Sequence, residues 1–165
     1  MLWRRHILLG GIAATGILFV NRILGSRPSA AASETFEVIH TDAEWRTLLT
    51  PEQYDVLRHE GTERPYSSPL DHEKRQGTFA CVGCNLPLFS SDTKFESHTG
   101  WPSFWQPLPH AVDTRTDKTF GMTRTEVHCH RCGGHLGHVF EDGPKPTGLR
   151  YCMNGIAMTF TPANA

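Results

Sequence analysis

Val127-His-Cys129-His-Arg-Cys132-Gly-Gly134 joins a short β-type run to a Cys-x-x-Cys turn closed by two glycines. Its counterpart, Cys81-Val-Gly-Cys84, lies 44 residues upstream and is followed directly by Asn85. A two-residue spacing lets both thiolates of a tight turn face one ion at about 2.3 Å, and two such turns complete a tetrahedron. Cys81, Cys84, Cys129 and Cys132 therefore predict a structural zinc site, one ion per chain, with no position open to substrate. Two separate redox disulfides are the competing reading, and other metals such as iron suit the same thiolates.

Outward from the knuckles, Gly77-Thr-Phe-Ala80, Val127-His-Cys129 and the run from Leu149 to Thr159 are short and β-type, punctuated by Gly, Pro, Asp and Asn. This spacing predicts antiparallel sheet in a mainly β fold rather than a parallel α/β one. Before the first knuckle, Thr41-Asp-Ala-Glu44 and Thr50-Pro-Glu-Gln53 both match the capping box S/T-x-x-E/Q. Pro51 at a first helical position supports the second. Short helices are expected over residues 42–48 and 51–59, burying Trp45, Leu48, Leu49, Tyr54 and Leu57.

The composition, 38% hydrophobic and 20% charged over 165 residues, suits a single soluble domain. The net charge of -1 hides an asymmetry, because residues 1–32 hold Arg4, Arg5, Arg22 and Arg27 and no acid. Without those four, 12 basic side chains face 17 acidic ones, a net of -5. A body of that sign repels phosphate backbones, so a nucleic-acid partner is not expected.

In the leader, Arg4 and Arg5 precede an apolar run from Ile7 to Val20. As a helix it would rise only about 21 Å, short of the ~30 Å hydrocarbon core. An export signal of twin-arginine type fits better than a permanent span, with Ala30-Ala31-Ala32 offering a cleavage site after Ala32. An uncleaved anchor, with Ile23 and Leu24 lengthening the run, and a mitochondrial presequence are the alternatives. The expected organisation is a signal segment at 1–32, a linker at 33–40 and one domain at 41–165.

Five cysteines are an odd number, and Cys152 is the one outside the knuckles. Arg150-Tyr-Cys152-Met-Asn154 looks like a strand, so alternation places Arg150, Cys152 and Asn154 on one face. A neighbouring cation lowers a thiol's pKa and raises its thiolate fraction, as a nucleophile requires. An inert cysteine beside a structural arginine fits that spacing equally well. His135 and His138, three apart in Gly133-Gly-His-Leu-Gly-His138, titrate near neutrality and can deliver a proton. They also suit a metal pair or two structural side chains. Thr99-Gly-Trp101-Pro-Ser-Phe104-Trp105 is an aromatic cluster of a kind that usually fills a core, yet it could receive a thioether-like group on its rings.

Four blocks decide among these readings: CVGCNLPLF at 81–89, HTGWPSFW at 98–105, CHRCGGHLGHVFEDGP at 129–144 and GLRYCMNGIAM at 148–158. In this order and spacing they resemble the signature of the B-type methionine sulfoxide reductases. TDAEW, TPEQYDVLR and GTERPYS extend the likeness back to about residue 41, and the leader lies outside it. The resemblance implies two antiparallel sheets packed together, short N-terminal helices, and reduction of the R epimer of methionine sulfoxide, usually within proteins. It makes Cys152 the nucleophile, His135 and His138 the pair that protonates the sulfoxide oxygen, and Asn154 a polar support. Arg150 would favour the thiolate. Trp101 would receive the substrate methyl, with Phe104 beside it. Cys81, Cys84, Cys129 and Cys132 match the zinc ligands of many members.

One departure concerns Thr99, which stands where many members carry a resolving cysteine. Cys152 should then stop at a sulfenic acid unless an external thiol, thioredoxin-like or small, reduces it or a zinc cysteine is sacrificed. A monomer with no organic cofactor is expected. A zinc-ribbon binding module and a Cys-x-x-Cys thiol-disulfide oxidoreductase are the rival functions, separated from this one by sulfoxide turnover and by metal content.

Overall fold

The computed structural model describes residues 35–164, and in it both capping boxes form. Helix α1 (Asp42–Leu48) begins where the Thr41 side chain accepts from the Glu44 amide while the Glu44 carboxylate accepts from the Thr41 amide at 2.7 Å. Helix α2 (Pro51–His59) repeats this with Thr50 and Gln53. Caps of this kind stabilise a helix by about 1 kcal/mol each, which matters in helices of 7 and 9 residues.

Trp45, Leu49, Tyr54 and Leu57 are buried as expected, but Leu48 is 58% exposed. The helix ends at Leu48, and Leu49 adopts an extended conformation that swings its own side chain inward instead. Two turns of helix present a stripe only wide enough for Trp45 and the residue that follows the last turn.

The rest is mainly β. Strands β1 (Gly77–Cys81), β2 (Pro87–Ser90) and β9 (Met158–Pro162) form a three-stranded antiparallel sheet in the order β2-β1-β9. Strands β3 (Lys94–Phe95), β4 (Ser103–Phe104), β5 (Val112–Asp117), β6 (Arg124–Cys129), β7 (His135–Phe140) and β8 (Arg150–Met153) form a six-stranded antiparallel one in the order β3-β4-β8-β7-β6-β5. Phe79 of the first sheet meets Phe104 of the second edge-on at 5.0 Å, and Phe89 stacks on Phe104 at 4.3 Å. These rings, with Leu88, Val127, Leu136 and Met153, fill the core between the sheets.

The run Leu149 to Thr159, read above as one β segment, is two strands in different sheets. The Glu63 carboxylate accepts from the Gly155 amide at 2.6 Å and the Ile156 amide at 2.9 Å, taking two donors that a continuing strand would need for its ladder. A short 3-10 turn (Gly155–Ala157) results and carries the chain across. Of the linker, residues 35–40 are irregular but docked, with the Val38 amide donating to Arg131 O at 3.0 Å. The leader, its arginine pair and its cleavage site lie outside the described residues. Among those described, no helix is long and apolar enough to cross a membrane.

Candidate functional site

Each knuckle closes in the same way. The first leaves β1 at Cys81 and turns back through Asn85, whose amide donates to Cys81 O at 2.8 Å. The second joins β6 to β7 and turns through Gly133, whose amide donates to Cys129 O at 2.9 Å. Both turn residues are left-handed, with φ of 57° and 67°, which asparagine and glycine tolerate best. The amides of Leu86 and Cys132 point at the sulfurs of Cys84 and Cys129.

The four sulfurs lie within 4.8 Å of one another, with Cys81 Sγ 3.7 Å from Cys132 Sγ and Cys84 Sγ 3.5 Å from Cys129 Sγ. Thiolates at about 2.3 Å around a tetrahedral ion sit about 3.8 Å apart, so the set fits a bound metal. One knuckle belongs to each sheet, and an ion shared by them would tie the two sheets together.

A second cluster lies on one face of the larger sheet. Residues directly opposite in an antiparallel pair share a face. Ser103 pairs with Cys152, Cys152 with His138, His138 with Glu126, and Glu126 with Arg115. This row puts Cys152 between a buried hydroxyl and an imidazole.

His135 should point to the other face, since it is three residues from His138. The register shifts between Val127 and His128, leaving one extra residue, Leu136, in β7. A bulge of this kind resets the alternation. His135 consequently joins the row, with Nδ1 2.8 Å from Glu126 Oε1 and its ring centroid 5.5 Å from that of His138. Asn154 secures the bulge, its backbone amide donating to Leu136 O at 2.8 Å and its Nδ2 at 3.1 Å. Asn154 Oδ1 in turn accepts from the Glu63 amide at 2.9 Å. Gly137 is also required here, because a Cβ on it would lie 2.1 Å from Cys152 O.

The carboxylates set the tautomers. Asp117 accepts from Thr119, from His138 and from Arg124, which together hold its pKa well below the usual carboxylate range. An ionised carboxylate only accepts, so His138 carries its proton on Nε2, 2.9 Å from Asp117 Oδ2, and keeps a lone pair on Nδ1. Burial lowers the His138 pKa more than Asp117 raises it, which favours the neutral ring. Burial pushes Glu126 upward, but His135 and Arg115 pull it further down, so it too is ionised. His135 in its neutral form then donates from Nδ1 and presents Nε2 as an acceptor, buried and without a hydrogen-bond partner among the described residues.

Arg150 shares a face with Cys152, as the alternation predicted, and it acts on the thiol in the expected direction. Its guanidinium is clamped by Asp142 through two bonds of 2.8 Å and lies 4.5 Å from the Phe140 ring centroid. Burial pushes the Cys152 thiol above its ordinary pKa, and the contacts with Thr99, Arg150 and Ser103 pull the other way without cancelling it. The resting group is a thiol rather than a thiolate.

Thr99 Oγ1 lies 3.8 Å from Cys152 Sγ, so the position of the missing resolving cysteine is beside the nucleophile candidate. All five cysteines are free. Trp101 is partly exposed and held by its Nε1, which donates to Glu63 O at 3.2 Å. Phe104, expected beside it in the substrate pocket, is fully buried in the aromatic core. Reasoning from sequence missed Glu63, Asp117 and Glu126. Glu63 lies in GTERPYS, one of the stretches that carry the resemblance, but no motif marks Asp117 and Glu126, and only the register of β5, β6 and β7 brings those two to the histidines.

The SelR domain family matches residues 49–162. A peptide methionine sulfoxide reductase MsrB from Agrobacterium fabrum is 55% identical over 127 residues, covering 76% of this chain and 94% of that protein. A protein of the same name from Bradyrhizobium diazoefficiens is 52% identical over 137 residues, covering 82% and 99%. Another, from Methanosarcina mazei, is 54% identical over 122 residues, covering 73% and 87%.

Proposed function

Because the chain belongs to the SelR-domain family of B-type peptide methionine sulfoxide reductases, we propose that it returns the R epimer of methionine sulfoxide in proteins to methionine, with Cys152 as nucleophile. The observation that carries this reading is the row in which Cys152 faces His138 across β7 and β8, with the bulge at Leu136 adding His135.

The substrate's methyl packs on Trp101, where a sulfur-bound methyl meets an aromatic face. Cys152 sulfur attacks the sulfoxide sulfur. Its proton passes to His138 Nδ1 and from there to the sulfoxide oxygen, with His135 Nε2 accepting from that oxygen once it is protonated, or from a water beside it. The S–O bond then breaks as oxygen moves to Cys152. The thiol loses two electrons and becomes a sulfenic acid, while the sulfoxide gains two and leaves as methionine. Two external thiols, from a thioredoxin-like protein or a small donor, reduce the sulfenic acid with release of water and a disulfide. Arg150 contacts the Cys152 sulfur and favours its thiolate, while Asn154 positions this strand end.

The knuckle cysteines hold one zinc ion, which contributes folding energy and no chemistry at the sulfoxide. The leader directs a folded monomer out of the cytoplasm by the twin-arginine route, which keeps four thiols of a preloaded site from wrong pairing in an oxidising space.

Turnover of the separated epimers of N-acetylmethionine sulfoxide with dithiothreitol tests the activity. The R epimer is expected to be consumed and the S epimer left. Consumption of the S epimer, or of neither, would refute the reading. The role of His138 has its own check. Its lowered pKa keeps it available as a base below about pH 6.5, so the acid limb of the single-turnover rate should fall beneath the ordinary imidazole range. His138→Ala should slow the step by roughly 10²- to 10⁴-fold and remove that limb. An unchanged rate would assign proton transfer to another group.

A further inference from the structure

Beside Cys152, the loop Ser97–Gly100 and strand β4 align hydroxyls that the sulfoxide chemistry above does not use. Ser97 Oγ lies 2.8 Å from Thr99 Oγ1 and 2.7 Å from Ser103 Oγ. Ser103 Oγ donates to Trp101 O at 3.1 Å, and Thr99 Oγ1 lies 3.8 Å from Cys152 Sγ. Each hydroxyl has one proton, and a carbonyl has none to give. The Ser103 proton is thus committed to Trp101, the Ser97 proton to Ser103, and the Thr99 proton to Ser97. The remaining contact closes only if the thiol donates to Thr99.

We propose that Ser97 and Ser103 are positioning residues for the nucleophile, fixing the direction of this chain so that Thr99 accepts the Cys152 proton in the free protein. For Thr99 to donate to a thiolate, every hydroxyl behind it must turn, and the Trp101 carbonyl loses its partner. Ser103 is fully buried. In this direction the chain has no hydroxyl proton to offer a Cys152 thiolate.

The other groups facing Cys152 leave this direction unchanged. They are Arg150 on its own strand, paired with Asp142; His138 from β7, paired with Asp117; and, on the loop, the exposed His98 near Glu96. Strand β4 brings no titratable group, only the Ser103 hydroxyl, which also contacts the sulfur and meets it as an acceptor while its proton is committed to Trp101. The loop also stands without Ser97, because the Tyr66 amide donates to Gly100 O at 2.7 Å and the Tyr66 hydroxyl to His98 O at 2.8 Å.

The test uses the zinc-loaded protein without substrate. Iodoacetamide alkylation of Cys152 is followed as a function of pH, with the labelled residue read by mass spectrometry. Ser97→Ala frees the Thr99 proton to point at sulfur, and its titration midpoint should fall by about half a unit, or about threefold faster alkylation below the midpoint. Ser103→Ala should move it the same way, and Ser97→Thr should restore the original value. An unchanged or raised midpoint in Ser97→Ala overturns the proposal, as does a Ser97→Thr protein that behaves like Ser97→Ala. Ser97 is on a partly exposed loop, so that variant decides the matter even if Ser103→Ala folds poorly. The proposal rests on Cys152 being the nucleophile only for its effect on rate. The midpoint is measured with no sulfoxide present, so its failure is distinct from failure of the epimer assay.

Discussion

Cys152→Ser is expected to abolish reduction of the R sulfoxide, by on the order of 10⁴-fold or more, while leaving fold and metal content intact. A serine hydroxyl is a far weaker nucleophile than a thiol, and it cannot take up the sulfoxide oxygen as a sulfenic acid. The change removes one atom's polarisability from a half-buried position and disturbs neither the aromatic core nor the knuckles. Steady-state turnover, circular dichroism and metal analysis on the same preparation check it. Appreciable residual turnover would remove Cys152 from the mechanism.

Cys84→Ser should act in the opposite way, by costing the fold first and the activity second. Cys84 is one of four sulfurs within 4.8 Å, and its turn would connect the three-stranded sheet to an ion shared with the β6–β7 turn. Loss of a structural ligand removes binding energy that is also folding energy, here about 5 kcal/mol or more of a metal contribution that can exceed ~10 kcal/mol. For a domain of this size that is a fall in melting temperature of about 15 °C or more. Thermal unfolding with metal analysis reads both. A stable, metal-free and fully active Cys84→Ser protein would contradict a structural role.

The parts of this structure that depend on neighbours in sequence were legible there. Two capping boxes placed both helices, and the left-handed residues after each Cys-x-x-Cys, Asn85 and Gly133, marked the knuckle turns. Strand alternation put Arg150 and Cys152 on one face. The parts that depend on register were not legible. Alternation alone sends His135 and His138 to opposite faces, and only the extra residue Leu136, held by Asn154, brings them together. The same dependence hid Asp117 and Glu126, which meet the histidines across two strand pairings.

Two further differences arise from competition between local and tertiary demands. Phe104 sits three residues from Trp101 in an aromatic cluster, and sequence does not tell which ring faces solvent. Strand β4 turns Ser103 toward Cys152, and Phe104 goes to the opposite face, into the core. The break after Met153 likewise originates in Glu63, some 90 residues earlier, whose carboxylate captures the Gly155 and Ile156 amides. The clamp of Asp142 on the Arg150 guanidinium has a similar source, a contact that no spacing rule anticipates.

The count of sulfurs permits one direct test of the central claim: four thiols committed to a metal and one oxidised per turnover. The zinc-loaded protein is mixed with excess R sulfoxide and no reductant, then quenched with a dimedone-type trap and digested for mass spectrometry. One equivalent of methionine per chain should appear, with the trap on Cys152, no intramolecular disulfide and all of the zinc retained. A disulfide between Cys152 and a knuckle cysteine, with zinc released in step with methionine, would contradict the account and make the metal site part of the redox cycle.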